Sequence, residues 1–271
     1  METNKIYQGD CLELMKQIED NSIDLVITSP PYDNLRIYNG YSFNFEGIAK
    51  ELYRVTKDGG VVVWIVGDAT IKGSETGTSF KQALYFKEIG FNLHDTMIWQ
   101  KTNPMPKIKT KRYFDVFEYM FVFSKGHPKT FNPILVNCKF GGKIYNSTTK
   151  NIGGENGRTK KNFILNSQRN KNNIWEIAIA QNKTSHPAVF PEKLAEDHIL
   201  SWSNEGDIVL DIMCGSGTTC KMALLNKRNY LGFEISEEYC KIANERLTKL
   251  NDGNDGIPPY PKGKGILPTI K

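Results

Sequence analysis

Short apolar runs and amphipathic stretches alternate along most of this chain. Residues 5–7 read as a strand end before a turn at Gly9-Asp10, and residues 11–18 have helical spacing, with Leu12, Met15 and Ile18 on one face. Residues 23–27 form a short apolar strand that runs into Thr28-Ser29-Pro30-Pro31-Tyr32. There the first proline removes a backbone donor and the second keeps the chain extended. An amphipathic helix over 48–55 is closed by Lys57-Asp58-Gly59-Gly60, and a buried strand follows at 61–66. A helix over 80–89 ends at Gly90, and further strands are predicted at 96–100 and 118–123. Pro191 opens a helix running to 202, followed by a strand at 207–212, a helix at 218–225, a strand at 230–235 and a helix at 237–249. This alternation predicts an α/β fold with a doubly wound, mostly parallel sheet.

Between 126 and 182 the periodicity fades and Gly, Asn, Thr and Lys dominate, which predicts an irregular inserted region. The tail over 251–271 is rich in Gly, Pro and Lys and is expected to be loose. Charge sharpens the picture. Of the 35 basic and 30 acidic residues, 15 basic and only four acidic ones fall within 101–182, so that segment carries all the positive excess. It reads either as a solvated loop region or as a surface for a polyanion. Basic residues interleaved with Asn, Thr, Ser and Gln at 146–149 and 166–173 favour the polyanion.

At 271 residues the chain can bury one substantial core, and no apolar run approaches the roughly 20 residues that cross a bilayer. The five cysteines show no CxxC pairing or His/Cys cluster. These features predict a reduced, cytoplasmic protein with no membrane partner and no metal.

Two stretches carry chemistry. Asp211-Ile212-Met213-Cys214-Gly215-Ser216-Gly217-Thr218 lies between a strand and a helix, where glycines let a ligand approach the backbone beside free N–H groups. Glu234 follows at the end of the next strand, in the position of an acid that binds ribose hydroxyls, or of one that caps the following helix. The G-x-G-x-x-G pyrophosphate fingerprint is absent, which disfavours NAD. In Ser29-Pro30-Pro31-Tyr32, the Ser29 hydroxyl and the Pro30 carbonyl could accept both hydrogens of an exocyclic amine, and Tyr32 could stack on a planar base. The alternative for that stretch is an extended turn whose tyrosine packs on the core.

Together the two stretches resemble the amino-group DNA methyltransferases, which modify cytosine N4 or adenine N6, in the permuted, beta-type order where the catalytic motif comes first. The likeness covers about residues 5–125 and 183–248. It includes Gly9-Asp10, Thr28–Tyr32, Arg54 to Gly60, Ile98 to Asn103, Glu118 to Lys125, His186 to Pro191, Asp211–Thr219 and Glu234. One departure is Ile212-Met213, where the family usually has Pro-Phe; Met213 can fill the space of the lost aromatic.

The resemblance implies a Rossmann-like, S-adenosylmethionine-dependent methyltransferase fold. Residues 1–125 would be its catalytic half, 126–182 an inserted target-recognition region and 183–250 its cofactor-binding half. S-adenosyl-L-methionine is the cofactor implied. Asp211 with Gly215, Ser216, Gly217 and Thr218 would hold its methionine part, Glu234 its ribose and Asp10 its adenine amino group. Met213 and Thr28 complete that set, and His186-Pro187 would sit near its far end, although His186 reads equally as a buried loop histidine. Ser29, Pro30, Pro31 and Tyr32 would be catalytic.

The resemblance further implies double-stranded DNA as partner; because arginine can donate two parallel hydrogen bonds to guanine, Arg158 and Arg169 are the expected base readers, with Lys160 and Lys161 on phosphates. Methyl transfer would be direct, since no cysteine follows a proline, as the thiolate route to cytosine C5 usually requires. A serine at the head of the catalytic motif favours cytosine N4, with adenine N6 as the alternative. A catalytically inactive DNA-binding module of the same fold is the alternative of another class. A homodimer and a cognate restriction endonuclease stay open.

Overall fold

The computed structural model describes residues 1–31, 43–104, 111–150, 158–179 and 191–251. The first half holds β1 (Lys5–Gln8), α1 (Cys11–Met15), β2 (Ile23–Thr28), α2 (Phe45–Val55), β3 (Thr56–Val66), β4 (Thr70–Ile71), β5 (Ser74–Glu75), α3 (Thr78–Glu88), β6 (Asn92–Lys101) and β7 (Phe117–Ser124). Then come β8 (Leu135–Asn137), β9 (Ile144–Lys150), β10 (Arg158–Ile164), β11 (Gln168–Asn170) and β12 (Ile174–Ile177). The chain closes with α4 (Glu192–Trp202), β13 (Ile208–Asp211), α5 (Thr218–Leu225), β14 (Asn229–Glu234) and α6 (Glu237–Asn251).

Eight strands form one sheet in the order β1-β14-β13-β2-β3-β7-β6-β12. β7 runs antiparallel to both of its neighbours, and every other adjacent pair is parallel. The α/β, mostly parallel sheet expected from the alternation of elements is present. From β2 the chain winds outward through β3, and from β13 it winds the opposite way through β14, so the order reverses between β2 and β13. At such a reversal the connections leave to opposite sides and open a crevice beyond the strand ends.

Helices cover both faces, which is why the central strands are apolar without interruption. Val61, Val63 and Ile65 of β3 face a core shared with α4, α5 and α6, where Leu194, Ile199, Met222 and Leu247 are buried. Val62, Trp64 and Val66 alternate to the other face, against Met15 of α1, Leu52 of α2 and Phe86 of α3. On β2, a register shift between Ile23 and Leu25 puts Ile23 on the same face as Val26. The second face is aromatic: Phe86 lies 4.5 Å from Phe123 in a stacked pair and 5.1 Å from Trp64 edge-on. The buried Trp64 indole donates to Gln82 Oε1 at 2.8 Å, so its one polar atom is satisfied.

The structure departs from the sequence expectations in three places. Helix α2 starts at Phe45, because the Asn44 side chain accepts from Gly47 N at 3.1 Å and caps it. Gly59 and Gly60 do not close that helix. They extend β3, with Gly59 N donating to Lys125 O (2.6 Å) and Lys125 N to Gly60 O (3.1 Å). The region 126–182, expected to be irregular, contains five strands among its described residues. β8 pairs antiparallel with β11 and β9 with β10, while β12 joins the main sheet beside β6. β9 and β10 are mostly polar, and the partners of β8 and β12 lie more than 30 residues away, so no local period betrays these pairs. Residues 252–271, expected to be a loose tail, lie outside the described residues.

The packing of Phe86 generates a first prediction. Phe86→Ala should lower unfolding free energy by about 3–5 kcal/mol, the usual cost of emptying a fully buried phenylalanine site. Phe80→Ala on the exposed side of the same helix should cost less than about 1 kcal/mol. Urea titrations followed by far-UV circular dichroism read both; equal losses would contradict the core described.

Candidate active site

The order reversal brings the two chemical stretches together. β13 pairs with β2 through Val209↔Leu25 and Leu210↔Val26, so Asp211 and Thr28 emerge side by side at the carboxyl ends of these central strands. Ser29, half-buried, and Pro30, buried, follow directly, then a half-buried Pro31. Tyr32, His186 and Pro187 lie outside the described residues.

Asp211 is buried, and its carboxyl pKa is pushed up to about 6, chiefly because burial penalises the charged form. The hydroxyls of Thr219 and Thr28 beside it, and the Met213 N–H donating at 3.1 Å, pull the other way. Both threonines are buried and form a polar lining next to the carboxylate. Glu234 at the end of β14 is also raised by burial. Its two oxygens accept from Gly215 N and Ser236 N, each at 2.9 Å. It therefore ties the glycine turn to the strand and also caps the start of α6. Of the two roles that the sequence left as alternatives, the structure shows the capping contact, and it adds the hold on Gly215.

The turn itself is constrained. Gly217 has φ 78°, and an added Cβ would meet Ala243 of α6 at 3.0 Å, so both conformation and space call for glycine. At Gly232, on β14, a Cβ would come 2.7 Å from Cys220 Sγ and 3.1 Å from Cys214 Sγ, so the thiols flanking the turn occupy that space. Ser216 and Thr218 are buried, and Met213 packs partly against the α1–α3 face. Asp10 accepts from Leu12 N (2.8 Å) and Glu13 N (3.3 Å) and so caps α1; both bonds fall on Oδ1.

Several residues at the site went unnoticed in the sequence. Arg246 of α6 donates through Nη1 to Ser216 O (2.5 Å) and Ser216 Oγ (3.0 Å), and through Nη2 to Glu192 Oε1 (3.0 Å). Lys221 of α5, also buried, meets the same Glu192 oxygen at 3.0 Å. Three helices thus hold the glycine turn through one acid. At the end of β3, Asp68 accepts from Ser79 N (2.9 Å), from Thr76 Oγ1 (3.2 Å) and from Ser79 Oγ. Lys101 pairs with Glu118 at 2.6 Å, and Asn103 accepts from Ile179 N at 2.6 Å, tying the exits of β6 and β12 together. Opposite charges at separations of 17 to 54 residues give no local signal, which is why only the folded chain reveals them.

The sites proposed for nucleic acid are spread out. Arg158, Lys160 and Lys161 lie on β10, whereas Arg169 lies on β11 and donates to Asn170 O at 3.1 Å. His198, buried against Trp175, is held neutral with its pKa pushed down to about 3 by burial and then by Lys171, and plays a packing role. The Cys11 thiol is pushed up to about 12 and that of Cys240 to about 11, mainly by burial, and Cys214 is raised as well, so none offers a thiolate. Among the described residues no cluster could hold a metal ion and no helix is long and apolar enough to cross a membrane.

The sequence profile of the DNA methylase family matches residues 23–245, which spans both strand ends and the glycine turn. The chain belongs to this family. As a DNA methylase it is 59% identical over 247 residues to the orphan methyltransferase M.BamHII of Bacillus amyloliquefaciens, covering 86% of this chain and 92% of that one. It is 31% identical over 267 residues to the type II methyltransferase M.HpaI of Haemophilus parainfluenzae, covering 93% and 77%. Among solved structures, the cytosine-N4-specific PvuII DNA methyltransferase superposes with a TM-score of 0.67 at 23% identity, over 93% of this chain and 92% of that one. The complex of M1.HpyAVI with its cofactor gives 0.60 at 24% identity, over 89% and 98%. These two likenesses extend the fold assignment.

The burial of Asp211 has a measurable consequence. Its folded pKa of about 6 lies above the 3.8 of an exposed aspartate, so the folded state holds the proton longer than the unfolded one. The resulting cost to stability is absent below about pH 4, grows through the interval and is complete above pH 6, on the order of 3 kcal/mol. Asp211→Asn should therefore raise the melting temperature at pH 8, with the gain vanishing toward pH 4. Equal or lower stability at pH 8 would show that the carboxylate is not under this strain.

Proposed function

We propose that this DNA methylase transfers a methyl group from S-adenosyl-L-methionine to the exocyclic amine of a flipped base in double-stranded DNA, with cytosine N4 as the target. The observation that carries the reading is the placement of Thr28 to Pro31 and Asp211 to Thr218 on adjacent strand ends at the order reversal of the sheet.

The residues present suit the cofactor. A buried carboxylate, Asp211, and a half-buried one, Glu234, beside the buried hydroxyls of Thr28 and Thr219 favour a ligand that is cationic and rich in hydroxyl and amino groups. Asp211 and the turn through Thr218 would hold the methionine part, Glu234 the ribose and Asp10 the adenine amino group, with Met213 alongside. His186 and Pro187 belong to the same proposal. When bound, S-adenosylmethionine supplies an electrophilic methyl on a sulfonium centre. The protein's task is then one of position and charge.

On the base side, the Ser29 hydroxyl and the Pro30 carbonyl accept the two amine hydrogens, which orients the nitrogen lone pair toward the neighbouring strand end. The same acceptors stay hydrogen-bonded to the amine as positive charge develops on it, and the surplus proton is released to solvent. Tyr32 would stack on the flipped base and offset a few kcal/mol of lost stacking in the duplex. The protonated thiols of Cys11, Cys214 and Cys240 agree with a route that needs no covalent base adduct. Serine at the head of the motif supports cytosine N4, as does the cytosine-N4 specificity in the name of the PvuII structure. Adenine N6 presents the same two hydrogens to the same acceptors and is the second reading.

Mass spectrometry of nucleosides from DNA methylated in vitro should show N4-methylcytosine; N6-methyladenine alone would move the assignment to the second reading. Ser29→Ala should lower kcat by about a hundredfold while leaving the affinities for DNA and cofactor nearly unchanged, because its oxygen matters most as the amine is attacked. Full turnover in that variant would remove Ser29 from the proposal. Arg246→Ala, which frees Ser216 and the glycine turn, should weaken S-adenosylmethionine binding about tenfold by calorimetry with little change in DNA affinity.

A further inference from the structure

Beyond the catalytic strand end, one charge pair stands in line with it. The register carries across the sheet: Thr28 of β2 is level with Trp64 of β3, and Trp64 with Phe121 of β7. Two residues further along β3, Val66 is level with Tyr119, which is level with Ile98 of β6. One step on, Trp99 pairs with Glu118, so Glu118 lies level with Pro31 and two strands away from it.

Side chains alternate along a strand. Leu25, Ile27, Met97, Trp99 and Met120 all face the core beneath α4. Ser29, Glu118 and Lys101 continue that face. Asp211 joins it from the other side, because Leu210 pairs with Val26 and so sets Asp211 level with Ile27. The result is a row along the carboxyl end of the sheet, running from Asp211 through Ser29 to Glu118 and Lys101. Only β3 stands between Ser29 and Glu118, and its next residue, Gly67, brings no side chain into the gap.

Lys101 and Glu118 meet at 2.6 Å with only 19% and 14% of their side chains exposed. Charges taken that far from water lose much of their mutual attraction to desolvation. Nor do the strands need the pair, since β6 and β7 are already joined over eight registered residues. The ammonium also lies 5.5 Å over the ring of Trp99, whose indole donates to Ile177 O at 2.9 Å. It is therefore held on a fixed surface. Glu118 takes one of its three hydrogens, and the others suit an acceptor on a ligand.

The spacing selects a base. Two strand separations come to about 10 Å. A pyrimidine with a hydrogen bond at each end spans about 10 Å as well. With its amine on Ser29 and Pro30, a cytosine presents O2 at the far end of the same edge, an acceptor for the ammonium. Adenine carries a C–H at the corresponding place and would leave that donor unmet, which is costly in a site closed to water.

We propose that Lys101 donates to the O2 of the flipped cytosine and that Glu118 holds the ammonium in place for it. Glu118 is thus a positioning residue, and Lys101 is the side chain that selects cytosine over adenine. This inference rests on the cytosine-N4 reading above and assigns that choice to a residue outside the catalytic motif.

The test removes one atom of the base and one group of the enzyme, separately and together. Full-length wild-type and Lys101→Met enzymes are given duplexes whose mapped target is cytosine or 2-thiocytosine, the sulfur being the weaker acceptor. The wild type should lose about tenfold in kcat/KM on the thio base, and Lys101→Met about tenfold to a hundredfold on cytosine. In Lys101→Met the sulfur should cost little more, because the interaction it removes is already gone. Lys101→Arg, which keeps a cationic donor, should recover part of the loss. Calorimetry should show unchanged affinity for S-adenosylmethionine in both variants and in Glu118→Gln, since the glycine turn lies on other elements. A wild type indifferent to the sulfur, full activity of Lys101→Met, or an equal thio penalty in both enzymes would overturn the contact. Cofactor affinity lost in Lys101→Met and Lys101→Arg alike would make the pair a structural tie and overturn it too. In each of these cases, N4-methylcytosine formed by the wild type leaves the methylation reading standing. N6-methyladenine as the only wild-type product would overturn the cytosine reading and this inference with it.

Discussion

The contact between β2 and β13 is the interaction on which the rest of the structure depends. Two registered pairs, Val209↔Leu25 and Leu210↔Val26, join halves of the chain that lie some 180 residues apart. The winding of the sheet reverses across this seam, so the crossovers diverge and leave the ends of both strands open. Thr28 and Asp211 face one another there because their strands are parallel and in this register. A slip of one residue would turn each inward side chain to the opposite face and separate the two stretches.

That geometry carries an electrostatic cost. Asp211 and Glu234 are carried into a low-dielectric setting, which raises both, and the Glu234 charge adds to the rise at Asp211. The fold offsets part of the cost with backbone N–H donors from Met213, Gly215 and Ser236. What remains is a site that gains when a positively charged ligand arrives. Strain of this kind is common where function opposes stability. The ion pairs of Glu192 with Lys221 and Arg246 serve a complementary end: they fix the turn from three helices without placing another uncompensated charge beside Asp211.

Charge is distributed unevenly along the chain. Outside 101–182 it is acidic in balance, whereas 101–182 carries the positive excess. Asn132, Lys171 and Asp197 tie the strands that follow β7 to α4, whose first residue, Glu192, holds the glycine turn.

The alternation of short apolar strands with amphipathic helices, Pro30 and Pro31 ending a strand, and the glycine turn followed by Glu234 are all local patterns. The amino-acid sequence alone therefore determined the α/β class, the positions of β2, β13 and β14, and the family. Local pattern also misled: Gly59 and Gly60 resemble a helix stop, yet pairing with Lys125 draws them into β3. Tertiary structure alone decided the contact of Glu234 with Gly215, the grip of Arg246 on Ser216, the raised Asp211 and the pairing of β8 with β11. Each of these depends on residues brought together from distant parts of the chain. The periods of 2 and 3.6 residues register only neighbours along it, and neither burial nor the partner of a charge is set until the sheet has closed.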